Sequence, residues 1–211
     1  MTFPFLQLDH LILTASDLAT GMDYVENILG VRPVYSGQHL GLGTHNALLS
    51  LGNRMYFEVI APDPTQDIAA EKLWIDIPAG YPPRLSMWVA QASSLQMCGS
   101  IARIHQIPLG AVNSGTRTQA DGTQIHWQAT NPAVENFDGL IPFFIDWGDS
   151  PHPSEQLPLA GSLEKIVATH PEAARMSGYW EAFGIPYEVE EGEVAGLRAW
   201  IRTNGGEVVV I

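Results

Sequence analysis

Three segments of the chain line up on one another at a spacing of roughly 77 residues, a period too long for a solenoid. They begin LDHLILTASDL at Leu8, LSMWVAQASSL at Leu85 and LEKIVATHPEA at Leu163. In each, an apolar run containing β-branched or aromatic residues predicts a strand, and a helix-capping residue follows at once: Ser16 or Asp17, Ser93 or Ser94, and Thr169 or His170 ahead of Pro171. Apolar residues then recur at helical spacing, as Leu18, Met22, Val25 and Leu29 before Gly30, as Leu95, Cys98, Ile101 and Ile104, and as Ala174, Tyr179, Trp180 and Phe183 before Gly184.

Past each helix a proline marks the next strand's start, in GVRPVYSG, QIPLGAVNSG and GIPYEVEEG, because proline cannot continue a helix and suits a strand's first residues. Two more strands close each unit: HNALLSLG with RMYFEVIAP, TQIHWQAT with LIPFFIDWG, and GLRAWIRT with GEVVVI. Turn signals fall at Asp121 and Gly122, and at Asn204, Gly205 and Gly206. The reading is strand, helix and three strands, three times over: an α+β chain of repeated βαβββ modules, its curved mixed sheets covered by helices on the outer face. Two modules, 6–62 and 84–148, make up residues 1–160, and 161–211 form the third. The Pro-, Asp- and Ser-rich stretches 62–83 and 148–160 read as connectors, with a short helix within 67–75.

Charge narrows the partners. The formal net charge is −13 with only ten Lys and Arg, and no basic cluster, so a nucleic acid would approach against the long-range field. No run of 18 apolar residues could span a bilayer, and MTFPFLQLDH lacks the basic and apolar regions of a signal peptide, which leads to the expectation of a cytoplasmic protein off the membrane. The single cysteine, Cys98, excludes an internal disulfide and reads as a small apolar filler.

LDHLILTASDL, GLGTHNALLSLG and YFEVIAPDP, with DGTQIHWQ and LIPFFIDWGDSPHP further on, resemble the glyoxalase-like domain proteins of the vicinal oxygen chelate superfamily, which includes glyoxalases, extradiol dioxygenases and bleomycin-resistance proteins. The resemblance covers most of residues 6–160; beyond that it rests on the repeat. It implies that two modules pair into a cup, with ligands for a metal supplied by the neighbouring first and last strands of each module.

Carried onto this chain, the resemblance points to His10 and Glu58. Alternation puts His10 on one face with Leu8 and Ile12, and Glu58 with Tyr56 and Ile60, so each polar group is set in an apolar wall. A carboxylate buried there needs a partner. Two readings stay open: half of a divalent metal site for zinc, nickel, iron or manganese, with Glu58 also the candidate catalytic base, or a hydrogen-bonded pair with no ion. At the matching positions the second module has Met87 and Phe144, and the third has Lys165 in place of His10. Asp146 or His126 would have to supply a third ligand.

Substrate contacts are expected from His45, Arg117 and His126. His45 alternatively orders the start of its strand, Arg117 in SGTRTQADG is alternatively a solvated hairpin charge, and His126 shares with Gln124 and Gln128 a polar face that is either cup interior or solvent. The resemblance implies a small oxygen-bearing substrate and metal-assisted isomerase or lyase chemistry. The competing class is a metal-free binding protein of the bleomycin-resistance type. A third module without a partner in the chain leads to the expectation of a homodimer.

Overall fold

The computed structural model describes residues 3–118, 124–132, 134 and 136–211, with the side chains of Arg117 and Thr118 outside that description. The turn signal at Asp121 and Gly122 also lies outside the described residues. The element order is β1 (Phe5–Thr14), α1 (Leu18–Leu29), β2 (Val34–His39), β3 (Thr44–Gly52), β4 (Met55–Pro62); β5 (Arg84–Ala92), α2 (Leu95–His105), β6 (Val112–Thr118), β7 (Gln124–Thr130), β8 (Phe143–Asp146); β9 (Gly161–His170), α3 (Ala173–Phe183), β10 (Glu188–Glu191), β11 (Gly196–Thr203) and β12 (Val208–Val210). One-turn 3₁₀ helices at Ala70–Lys72 and Pro153–Glu155 sit in the two connectors. The elements make up an α+β fold. None of the described helices is long and apolar enough to cross a membrane.

Two compact units are formed. One comprises His10–Leu85, Pro153–Glu164 and Ala199–Ile211; the other comprises the chain up to Asp9, Ser86–His152 and Lys165–Arg198. In the His10 unit the strand order is β2-β3-β4-β1, with β1 parallel to β4 and β3 antiparallel to both β4 and β2. Helix α1 packs its buried Leu18, Gly21, Val25 and Leu29 against β3 and β4. Burial of each large side chain on that face contributes about 1.5–3 kcal/mol. Gly21 sits so close that a Cβ there would lie 2.5 Å from Val59 Cγ1 and 2.8 Å from Ala15 Cβ. The helix starts at Asp17, whose Oδ1 accepts from Thr20 N at 2.8 Å, and stops at Gly30 in the left-handed region.

In the other unit the order is β5-β8-β7-β6, with β5 parallel to β8. Ser94 caps α2 by accepting from Met97 N, and Cys98 is buried beside Leu95 and Ala102, while Ile104 is exposed. Burial pushes the Cys98 thiol up to about 12, so it is an inert filler as read from the sequence. Trp88 of β5 and Trp180 of α3 both donate their indole N–H to the carbonyl of Leu140, at 3.0 and 3.1 Å, with ring centroids 5.4 Å apart. A wholly buried acid, Asp9, accepts from Trp147 Nε1 at 2.8 Å and lies 3.2 Å from His152 Nε2.

The third copy repeats the element order but not the pairing. In the first two, the opening strand lies parallel to the closing one; here β9 takes β10 as its parallel partner, and β12 pairs antiparallel with β11. The helix and loops between β9 and β10 are long enough for such a parallel crossover. Helix α3 begins after Glu172, with no side-chain cap, rather than at Thr169 or His170, because β9 continues to His170 opposite Glu191.

Candidate functional site

Glu58 lies on β4 directly opposite Ile12 of β1 and Leu48 of β3, so its polar neighbours are the diagonal ones. His10, opposite Tyr56 and stacked on its ring with centroids 4.3 Å apart, brings Nε2 to 3.3 Å from Glu58 Oε2. Asn46, opposite Ile60 on β3, donates Nδ2–H to Glu58 Oε1 at 2.6 Å. His10 and Glu58, expected to meet across neighbouring strands, do meet, and their side chains are only 4% and 8% exposed.

A second imidazole joins them. His39, at the end of β2, places Nε2 3.6 Å from Glu58 Oε1 and 3.3 Å from Asn46 Nδ2. Its Nδ1 is 2.8 Å from Thr44 Oγ1, which accepts from Trp74 Nε1 at 2.9 Å, while the Trp74 ring meets His39 edge to face. Trp74 comes from the connector after β4. That connector is fastened to β2 by the buried Asp63, which accepts from Thr65 N and Oγ1, Gln66 Nε2 and Gln38 Nε2 and is thereby held well below the usual carboxylate range, against the opposing effect of burial.

Burial alone would raise the Glu58 carboxyl. The hydrogen bond and charge of His10, the charge of His39 and the Asn46 amide outweigh it and hold the group at about 2. The arrangement is thus an ionised carboxylate embedded among apolar side chains, with imidazoles on both of its oxygens. Chemically it offers a fixed hydrogen-bond acceptor flanked by two rings that can donate or accept.

Of the other expected contacts, His45 belongs to the same unit as Glu58, and Arg117 and His126 to the other unit. His45 alternates with Thr44 and Asn46 along β3, so it projects from the opposite face, where its ring meets Tyr35. Arg117 stands opposite Ile125 in the second unit's β6–β7 pair; its side chain is outside the described residues. His126 is in the same pair, exposed, with Nδ1 3.0 Å from Thr116 Oγ1; Gln124 and Gln128 beside it are exposed as well. His39 and Asn46 were not foreseen. The signal for Asn46 was present, since Thr44, Asn46 and Leu48 share one face of an apolar strand. For His39 it was hidden, because the irregular register of β2 between Tyr35 and Gly37 breaks the alternation that would have placed it.

A family model described as Glyoxalase-like domain matches residues 8–184. The chain belongs to the glyoxalase-like domain family. No curated protein matches it in sequence. Among solved structures, a hypothetical protein from Staphylococcus aureus is 14% identical, over 96% of this chain and 97% of that one, with a TM-score of 0.68. Methylmalonyl-CoA epimerase from Mycobacterium tuberculosis is 18% identical over 70% of this chain and 92% of its own, TM-score 0.45. An extradiol ring-cleaving dioxygenase from B. fuscum is 15% identical over 86% and 46%, TM-score 0.46. The likeness to the Staphylococcus aureus protein is a likeness of fold.

The resemblance in sequence implies a metal ligand set that includes His10 and Glu58. At the matching positions of the second module Met87 and Phe144 are buried and apolar, and Asp146 accepts from Gly148 N. His10 and His39 approach different oxygens of Glu58 and so straddle the carboxylate instead of converging with it on one point. Among the described residues no three or more His, Cys, Asp or Glu side chains are grouped to hold an ion. As placed, His10, His39 and Glu58 do not converge on a common point.

Proposed function

We propose that this glyoxalase-like protein binds a small oxygen-bearing molecule at the Glu58 cluster through the protein's own polar groups, without a resident metal ion. The observation that carries the reading is the pairing of both Glu58 oxygens within the chain, Oε2 with His10 and Oε1 with Asn46 and His39. A carboxylate so stabilised is a weak base, whereas isomerase or lyase chemistry wants a proton acceptor poised near the working pH. The same feature suits a permanent acceptor that orients a ligand's hydroxyl or, through the imidazoles, its carbonyl oxygen. Homodimerisation is part of the same reading: the edge strand β12 leaves Val208 and Val210 exposed at 40% and 51%, a feature that supports pairing with a second copy.

Two measurements test the binding reading together. Protein purified without chelator or affinity tag should carry far less than one transition-metal ion per chain by elemental analysis, and titration with hydroxyacetone should move the NMR signals of His10, Asn46 and Glu58. A stoichiometric ion, or shifts confined to other residues, overturns it.

A further inference from the structure

The polar cluster around Glu58 contains one atom with nothing to bond to. Asn46 is 3% exposed, and its Oδ1 is, among the described residues, the one buried side-chain nitrogen or oxygen without a hydrogen-bond partner. Buried acceptors are rarely left so, and an orphan that persists calls for a partner. Turning the amide over does not relieve it. That would set Oδ1 against the ionised Oε1 of Glu58 at 2.6 Å, acceptor on acceptor, a repulsion that a longer contact to His39 Nε2 at 3.3 Å does not offset, so the carboxylate holds Nδ2 inward. Nor does packing account for the residue: Leu48, two positions on along the same face of β3, is buried with no polar atom to satisfy.

The partner Oδ1 lacks is a hydrogen-bond donor. Both Glu58 oxygens already face imidazole nitrogens, at 3.3 and 3.6 Å, so neither is left to pair with a cationic donor. A neutral hydroxyl meets the need without desolvating another charge.

We infer that Asn46 is a specificity-determining residue: its Oδ1 receives a hydroxyl of the bound molecule, so that the site prefers hydroxylated carbonyl compounds to analogues lacking the donor. The inference rests on the proposed binding at Glu58 and refines it. His39 is the most accessible member of the cluster, 23% exposed, and marks the side from which such a molecule enters.

The test compares hydroxyacetone with 2-butanone, in which a methyl group replaces the hydroxyl at nearly the same volume, by NMR-detected titration of the full chain. The parent should bind hydroxyacetone about tenfold more tightly, the scale of one hydrogen bond to a buried group that is otherwise unpaired. Asn46→Leu, checked for folding by its thermal melt, should bind the two ketones with affinities within about a factor of two. The comparison within the parent needs no variant. Equal affinities there, with shifts at His10 and Glu58, overturn the role of Asn46 and leave binding at the cluster intact. Failure of both ketones to move those signals overturns the binding reading and this inference with it.

Discussion

Replacing Glu58 by Gln keeps the side chain's size and removes its charge, which sets an amide NH₂ either against His10 or against the NH₂ of Asn46. Two routes give the magnitude. Holding the carboxyl at about 2 rather than at its ordinary 4.5 corresponds to about 3 kcal/mol in favour of the folded state at neutral pH. Removing one partner of a buried ion pair costs about 3–5 kcal/mol, and the His10 and Glu58 side chains are 4% and 8% exposed. The two figures meet at about 3 kcal/mol. For a chain of this size that lowers the melting temperature by roughly 6–12 °C.

The pH dependence has a definite sign. A folded-state pKa below the unfolded one means that the stabilisation is complete above about pH 4.5 and is lost as the pH falls toward about 2. Glu58→Gln lacks it at every pH. Urea unfolding followed by tryptophan fluorescence and far-UV circular dichroism, with coincident transitions, should therefore show a gap between parent and variant at pH 7 that narrows steadily on acidification below pH 4.5. Equal stabilities at pH 7, or a gap that stays constant down to pH 2.5, would refute the account of Glu58 as a buried, paired anion.

Gly21→Ala should destabilise by about 1–2 kcal/mol in spite of alanine's better helix propensity, because the new methyl overlaps Val59 and Ala15 where α1 lies on the sheet; chemical denaturation measures it. Cys98 should stay unlabelled by a thiol reagent in the native protein over hours and react at once in urea, since the thiol is buried and its pKa is pushed up to about 12. Light scattering should give the mass of a dimer, and Val210→Lys on the edge of β12 should return the monomer mass without loss of melting temperature; a parent that is monomeric at high concentration contradicts the pairing.

Much of the fold could be read from local chemistry. Asp17 and Ser94 each cap the helix they precede, Gly30 and Gly184 end helices in the left-handed region, and the short helix expected within 67–75 is the turn at Ala70–Lys72. His10 and Glu58 were legible because strand alternation assigns a face, and the family resemblance supplied the one non-local fact that β1 lies beside β4. What was not legible depends on pairings that no local pattern encodes. His39 reaches Glu58 only through the irregular register of β2, and Trp74 meets Thr44 and His39 from a connector that Asp63 fastens to β2. The third copy shows the same limit in reverse: strand, helix and three strands are plain in its residues, yet β9 chooses β10 as its parallel neighbour, a choice made between segments and not within them.

Two indoles share the Leu140 carbonyl, and with ring planes 73° apart their electronic transitions couple. That geometry gives the chain a built-in optical gauge. A near-ultraviolet signal arising from Trp88 and Trp180 exists only while α3 is seated beside β5, so it registers the docking of that helix separately from the helical content recorded at shorter wavelengths.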